Sequence, residues 1–130
     1  MKKRKKIYLA GCGGMLGEAF HSIFSNDYEL KCTDIDVNES WLSYLDFRDF
    51  NAYSEDVAEF KPDYLFHIGA YTDLEYCETH QNDTYATNAM AVENAVWIAV
   101  LLWSPISSPQ NCRPFGSKDW LPSLHSAITP

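Results

Sequence analysis

Apolar residues recur along this chain at two periods, and their alternation predicts strands interleaved with helices. Ile7-Tyr8-Leu9-Ala10 is a continuous apolar run of buried-strand type that breaks at Gly11. Met15, Leu16, Ala19, Phe20, Ile23 and Phe24 follow at helical spacing, and Ser25-Asn26-Asp27 is a polar stop. Tyr28 to Thr33 reads as a second strand closed by Asp34, and Val37 to Leu45 as a loop with aromatic plugs at Trp41 and Tyr44. Asp49 is placed to cap a short helix whose Phe50, Tyr53, Val57 and Phe60 share one face, with Pro62 closing it. Tyr64-Leu65-Phe66-His67-Ile68 is again of buried-strand type and breaks at Gly69-Ala70.

Asp73 to Asp83 is acidic and polar, and a long helix is expected from about Thr84 to about Leu101. That helix has little polar face, which predicts burial between the sheet and another helix or subunit, and self-association if it stays uncovered. Beyond Trp103 the pattern stops: Pro105, Pro109, Pro114, Pro122 and Pro130 interrupt both periods. The expected architecture is therefore α/β, a Rossmann-like doubly wound parallel sheet. Its 130 residues suit the first half only of two βαβαβ units. Residues 1–103 form the expected incomplete domain and 104–130 an irregular Pro/Ser-rich tail.

The first strand-to-helix turn carries the candidate chemistry. A pyrophosphate can rest on the free N–H groups and positive dipole end of a helix only where no side chain blocks it. Gly11 is placed for the tight turn, Gly14 for close approach of phosphate, and Gly17 for close packing of the helix on the sheet. Asp34, about 20 residues on, is placed to accept hydrogen bonds from both hydroxyls of an adenosine ribose. The bland alternative makes Asp34 and Asp36 ordinary loop acids. In open α/β sheets, ligands bind outside the carboxyl ends of the strands. The turns at Gly11 to Gly17, Asp34, Asp46-Phe47 and Ala70-Tyr71-Thr72 should therefore converge on a dinucleotide.

Charge and cysteine usage narrow the classes. Lys2, Lys3, Arg4, Lys5 and Lys6 hold five of the ten basic residues, leaving five against eighteen acidic ones in the body. Such a body repels nucleic acid. No apolar run is expected to reach the length of a membrane span, and the basic start lacks a signal-peptide core, so a cytoplasmic location is expected. Cys12, Cys32, Cys77 and Cys112 are scattered without metal-site spacing, which predicts reduced thiols and no metal.

From Ile7 to about Val96 the chain resembles the extended short-chain dehydrogenase/reductases, most closely the dTDP-4-dehydrorhamnose reductase group of nucleotide-sugar reductases. The matching residues are Gly11-x-x-Gly14-x-x-Gly17, Asp34, Asp46-Phe47, the run Pro62 to Thr72 with Glu75 and Glu78, and Asn88-Ala89-Met90-Ala91-Val92. The resemblance implies bound NADH or NADPH and a 4-keto sugar nucleotide as substrate. It places Gly14, Met15 and Leu16 at the pyrophosphate, Asp34 at the adenosine ribose, and Asp46 and Phe47 at the adenine. Ala70, Tyr71 and Thr72 fall on the phosphate and nicotinamide-ribose side. Asp34 favours NADH, because a carboxylate repels a 2′-phosphate. Without a ligand, Met15 and Leu16 would be helix core, Phe47 a loop plug, Tyr71 a surface aromatic and His67 a core histidine.

The group's chemistry also needs a tyrosine with a lysine four residues later and a serine or threonine that polarises the carbonyl. Here the last tyrosine is Tyr85, and no tyrosine has lysine four positions on. Ser107 and Ser108 fall near, but early for, the serine position. A truncated or frame-shifted reading of a longer gene accounts for the change after about Val100, and so does a genuine short relative. Two functions follow: the cofactor-binding part of a reductase, inactive as written, or a non-catalytic dinucleotide-binding or regulatory module.

Overall fold

The computed structural model describes residues 2–103. In chain order they form β1 (Lys6–Ala10), α1 (Met15–Phe24), β2 (Glu29–Asp34), β3 (Leu42–Tyr44), α2 (Phe50–Phe60) and β4 (Tyr64–His67). Next come α3 (Leu74–Thr79), α4 (Gln81–Tyr85), a π-helical turn (Ala86–Met90) and α5 (Ala91–Trp103). The strands are all parallel in the order β3-β2-β1-β4. This is the expected first half of a Rossmann-like sheet; the tail at 104–130, with Ser107, Ser108 and Cys112, lies outside the described residues.

Period-two alternation in β1 divides the core between two faces. Ile7 and Leu9 join Cys12, Cys32 and Leu42 on one side, where Phe20 and Phe24 of α1 pack on them. Tyr8 and Ala10 join Tyr53 and Val57 of α2 and Ala95 and Ile98 of α5 on the other. Helices thus cover both faces, and β1, paired on both edges, is buried from Ile7 to Ala10. Asp49 caps α2 as expected, accepting from the Ala52 N–H at 3.1 Å.

Several expectations change. Residues 42–44 within the expected loop form β3, because Cys32, Thr33 and Asp34 pair with Leu42, Ser43 and Tyr44. Three residues are too few to show a period. Tyr44 is exposed there, while Leu42 and Leu45 take the buried places, and Trp41 stacks on His21 at 4.0 Å. On α1 the covered face is Gly17, Phe20 and Phe24; Met15, Leu16, Ala19 and Ile23 point outward. β4 is only half-buried despite its apolar sequence, since among the described residues it is an edge strand.

The acidic stretch is also helical. Asp73 caps α3, accepting from the Tyr76 N–H at 3.0 Å, and the long helix starts earlier than expected, at Gln81. Gln81–Trp103 is 23 residues long and apolar enough to cross a membrane by length and composition, contrary to the expectation of no such run. Ala91, Ala95 and Ile98 face the core, whereas Val92, Val96, Val100, Leu102 and Trp103 are exposed. Between β4 and α5 runs an open groove of about 420 Å³ walled by Leu65, His67, Val92, Val96 and Trp103.

Candidate functional site

The strand order reverses at β1: β2 and β3 lie on one side of it and β4 on the other. Such a switch point opens a crevice at the carboxyl ends of the two central strands. There the backbones of Gly11 and Gly69 nearly touch. A Cβ on Gly11 would lie 2.2 Å from the Gly69 Cα, and Gly11 itself has φ +85°, which disfavours any side chain. The turn is pinned from both neighbours: Gly11 and Cys12 N–H groups donate to the Thr33 carbonyl at 2.8 and 3.0 Å. Ile68 and Gly69 N–H groups donate to the Ala10 carbonyl at 2.9 and 3.2 Å.

Each glycine of the turn has a separate cause. Gly17 is buried against the turn itself, where a Cβ would lie 2.1 Å from the Cys12 carbonyl oxygen. Gly13, which was not among the expected site residues, donates its N–H to Asp34 Oδ2 at 2.8 Å; a Cβ there would strike the Asp34 carboxylate. Its signal was a glycine in a turn position that the three-glycine spacing leaves free. Gly14 differs from all of these. A Cβ on it would meet nothing within 4 Å, and as the N-cap of α1 it supplies no side-chain cap. An anion can approach the first turn of α1 there without displacing protein atoms.

Met15 is 89% exposed and Leu16 57%, so neither is helix core; both stand beside the open Gly14 approach. Phe47 is a plug: its ring packs against Gly11 and Gly69 and lies edge-on to His67 at 4.6 Å. His67 Nδ1 is 3.2 Å from the Tyr53 hydroxyl, its Nε2 is buried without a hydrogen-bond partner among the described residues, and burial lowers its pKa. It stays neutral near pH 7. Cys12 and Cys32, scattered in sequence, meet beneath the turn; the contact with Cys32 and burial push the Cys12 thiol up, and Cys12, Cys32 and Cys77 are free.

Asp46 is engaged by a neighbour. Arg48 Nε and Nη2 each lie 2.9 Å from its carboxylate, and this pairing holds Asp46 below the usual carboxylate range. Arg48 Nη1 also reaches Asp83 of α4 at 2.7 Å, and Asp83 accepts from the Tyr76 hydroxyl at 2.8 Å, which pushes that phenol up to about 12. Tyr71 packs its half-buried ring on Tyr76 at 5.0 Å, its N–H donates to Asn88 Oδ1 and its carbonyl accepts from Asn88 Nδ2; Ala70 and Thr72 on either side are exposed. The structure therefore joins Gly11, Phe47 and Gly69 at one contact and Gly13 with Asp34 at another. Asp46 and Tyr71 are linked only through Arg48, Asp83 and Tyr76. Among the described residues no three His, Cys, Asp or Glu side chains group as a metal site.

A parallel sheet with a glycine turn at its switch point and helices on both faces defines a Rossmann-like α/β protein. The chain belongs to the RmlD substrate binding domain family, whose model matches residues 5–100. No curated protein matches it. Among solved structures it is similar to a hypothetical dTDP-4-dehydrorhamnose reductase from Sulfolobus tokodaii, with 24% identity and a TM-score of 0.70 over 75% of this chain and 36% of that one. A dTDP-4-dehydrorhamnose reductase from Bacillus anthracis in complex with NADP gives 20% identity and a TM-score of 0.68, over 78% and 34% of the two chains. WbmG from Bordetella bronchiseptica, in complex with NAD, gives 20% and 0.64 over 77% and 35%. The chain spans about a third of the length of these relatives.

Proposed function

We propose that residues 1–103 are the nicotinamide-dinucleotide-binding part of a nucleotide-sugar reductase fold, with NADH favoured over NADPH. The observation that carries this reading is the closure of the glycine turn on Asp34, with the Gly14 approach left open beside it. Gly14, Met15 and Leu16 would face the pyrophosphate on the turn that Gly11 and Gly17 shape, Asp34 the adenosine ribose, and Ala70, Tyr71 and Thr72 the other end; Asp46 is tied to Arg48 and the Phe47 ring plugs the Gly11–Gly69 contact, so neither is assigned to the adenine. The bound cofactor would supply hydride to a 4-keto sugar nucleotide. The chain's own part is to bind and orient it: the α1 N-terminus takes the negative charge, and Asp34 selects an unphosphorylated ribose.

No tyrosine among these residues is followed four residues later by lysine, so the part argued for residues 1–103 is to hold the cofactor, not to supply the proton that accompanies hydride. The exposed Val92, Val96 and Val100 of α5 support self-association through that helix. NADH titration of the parent and of Gly14→Val tests the binding reading. Valine at 14 fits the protein but occupies the phosphate approach, so binding should be lost while the thermal midpoint falls by about 4 °C at most; equal affinity for the two proteins rules the assignment out.

A further inference from the structure

The two cysteines beneath the glycine turn have no part in the dinucleotide reading. Cys12 is the second residue of the turn and Cys32 lies on β2, yet both side chains are buried in the cluster of Ile7, Leu9 and Leu42 under α1. The backbone brings them together. Leu9 pairs with Cys32 in the sheet, and the Cys12 N–H donates to the carbonyl of Thr33, the next residue along. The two thiols are in contact and free. Such a contact is the starting geometry of a disulfide, which closes only between neighbouring backbones.

The neighbours determine what closing that bond would move. Sulfur atoms in van der Waals contact sit about 4 Å apart, whereas a disulfide holds them at about 2.05 Å. Cys32 is fixed in β2, which is paired to β1 on one side and to β3 on the other. Cys12 lies in a turn and is the residue that gives way. Its backbone is wedged against Gly17, where a Cβ would lie 2.4 Å from the Cys12 Cα, so drawing Cys12 toward β2 shifts the turn against α1. Gly13 follows directly and donates to Asp34 Oδ2 at 2.8 Å, and Gly14 after it is the N-cap of α1. The Asp34 clasp and the open approach at Gly14 thus both lie within two residues of the sulfur that moves.

We propose that Cys12 and Cys32 form a redox modification site: a small disulfide of the glutathione class oxidises them to an intramolecular disulfide, and the oxidised turn binds the dinucleotide more weakly. One protein thiolate attacks the small disulfide, giving a mixed disulfide and one released thiol; the second then attacks the protein sulfur of that bond and releases the other. Two protein thiols are oxidised, one small disulfide is reduced to two thiols, and the two protein protons end on them. Access is through the turn, whose Gly14 and Met15 are exposed, and a dinucleotide bound there covers it. NADH therefore protects the thiols: by linkage, the factor lost in affinity on oxidation is the factor by which NADH favours the reduced pair. The consequence for binding rests on the dinucleotide reading above, whereas the disulfide itself does not.

The test incubates the full chain with oxidised glutathione or with dithiothreitol and digests each sample with trypsin without reduction. Cleavage after Lys6, Lys31 and Arg48 puts Cys12 and Cys32 on separate peptides, 7–31 and 32–48, so the bond is read as a linked pair that reduction separates. The chain should still run as a monomer on a non-reducing denaturing gel. The oxidised chain should bind NADH about tenfold more weakly than the reduced one, the worth of about one charge-assisted hydrogen bond, and dithiothreitol should restore it. Saturating NADH should slow formation of the linked pair. Cys32→Ser should bind NADH like the reduced parent before and after oxidant, and Cys32→Ala carries the test if the serine variant does not fold. Absence of the linked pair overturns the proposal, as does an oxidised chain with unchanged affinity. An affinity loss that persists in the Cys32 variant assigns the effect to Cys77 or Cys112 and overturns it too. A reduced chain that does not bind NADH refutes the dinucleotide reading, which is a separate failure, and the peptide map then still decides whether the two thiols close.

Discussion

The two corners of the candidate site are built by opposite means. At the glycine turn after β1 the chain comes close because side chains are missing: Gly11 meets Gly69, Gly17 meets the Cys12 carbonyl, and Gly13 meets Asp34. Beyond the ends of β3 and β4 it is held by side chains that are present, with Asn88 on the Tyr71 N–H and carbonyl, Tyr76 under the Tyr71 ring, and Arg48 joining Asp46 to Asp83. Steric closure tolerates almost no change, whereas a hydrogen-bonded corner loosens by increments of about 1 kcal/mol per bond. A rigid corner suits an anion that must be met by backbone, and an adjustable one suits a ligand group that varies or moves.

The largest expected effect is therefore Gly11→Val. It combines a Cβ at 2.2 Å from the Gly69 Cα with φ +85°, and strain plus overpacking should cost about 4 kcal/mol. For a domain of this size that lowers the thermal midpoint by about 15 °C or more. Gly14→Val, in open space and in extended backbone at φ −102°, should cost about 1 kcal/mol or less as a poorer N-cap. Calorimetric scans of both check the contrast. Similar midpoints would mean that the Gly11–Gly69 contact relaxes freely, and the rigid-corner account would fail.

The same contrast explains what could be read from the chain alone. Glycines at 11, 14 and 17 lie within one turn, so their spacing announces a local backbone need, and β1, α1 and the cap at Asp49 are equally local. Asn88 with Tyr71 and Arg48 with Asp83 are pairs 17 and 35 positions apart. No period or spacing in the sequence marks such pairs, since only the fold brings them together. β3 was missed because three residues carry no pattern, and its pairing to β2 supplies what propensity does not. Met15 and Leu16 share the helical spacing of Phe20 and Phe24, yet they stand in solvent; periodicity gives a helix but not which apolar stripe is covered.

A smaller, ligand-level effect sharpens the rigid corner. Asp34 already spends Oδ2 on the Gly13 N–H and Oδ1 on the Asp36 N–H, the latter at 3.0 Å. Each carboxylate oxygen retains a further acceptor site for a ribose hydroxyl. Asp34→Ala should weaken NADH about tenfold by removing charge-assisted hydrogen bonds, and should weaken NADPH less, because repulsion of the 2′-phosphate goes with the carboxylate. Parallel titrations with the two cofactors measure the ratio. Strong preference of the parent for NADPH would show that Asp34 does not face the ribose.

The smallest expected effect lies between the corners, at His67 beneath Phe47. Burial holds its folded pKa below the ordinary value of 6.5, so the unfolded chain takes up the proton first as pH falls. Stability from the neutral, buried ring is then complete above about pH 6.5 and is lost as pH drops from there through the folded pKa. Asp46, whose pKa is lowered by Arg48, follows the same sign in a separate window, its contribution present above its ordinary value of 3.8 and lost below it. Urea midpoints measured from pH 8 down to pH 3 should therefore fall in two stages for the parent. His67→Gln cannot titrate and should remove the near-neutral stage while keeping the acid one, and Arg48→Met should shrink only the acid stage. A near-neutral slope that survives in His67→Gln would assign it to another group and show that the histidine is solvated at the end of β4 rather than held neutral beneath the site.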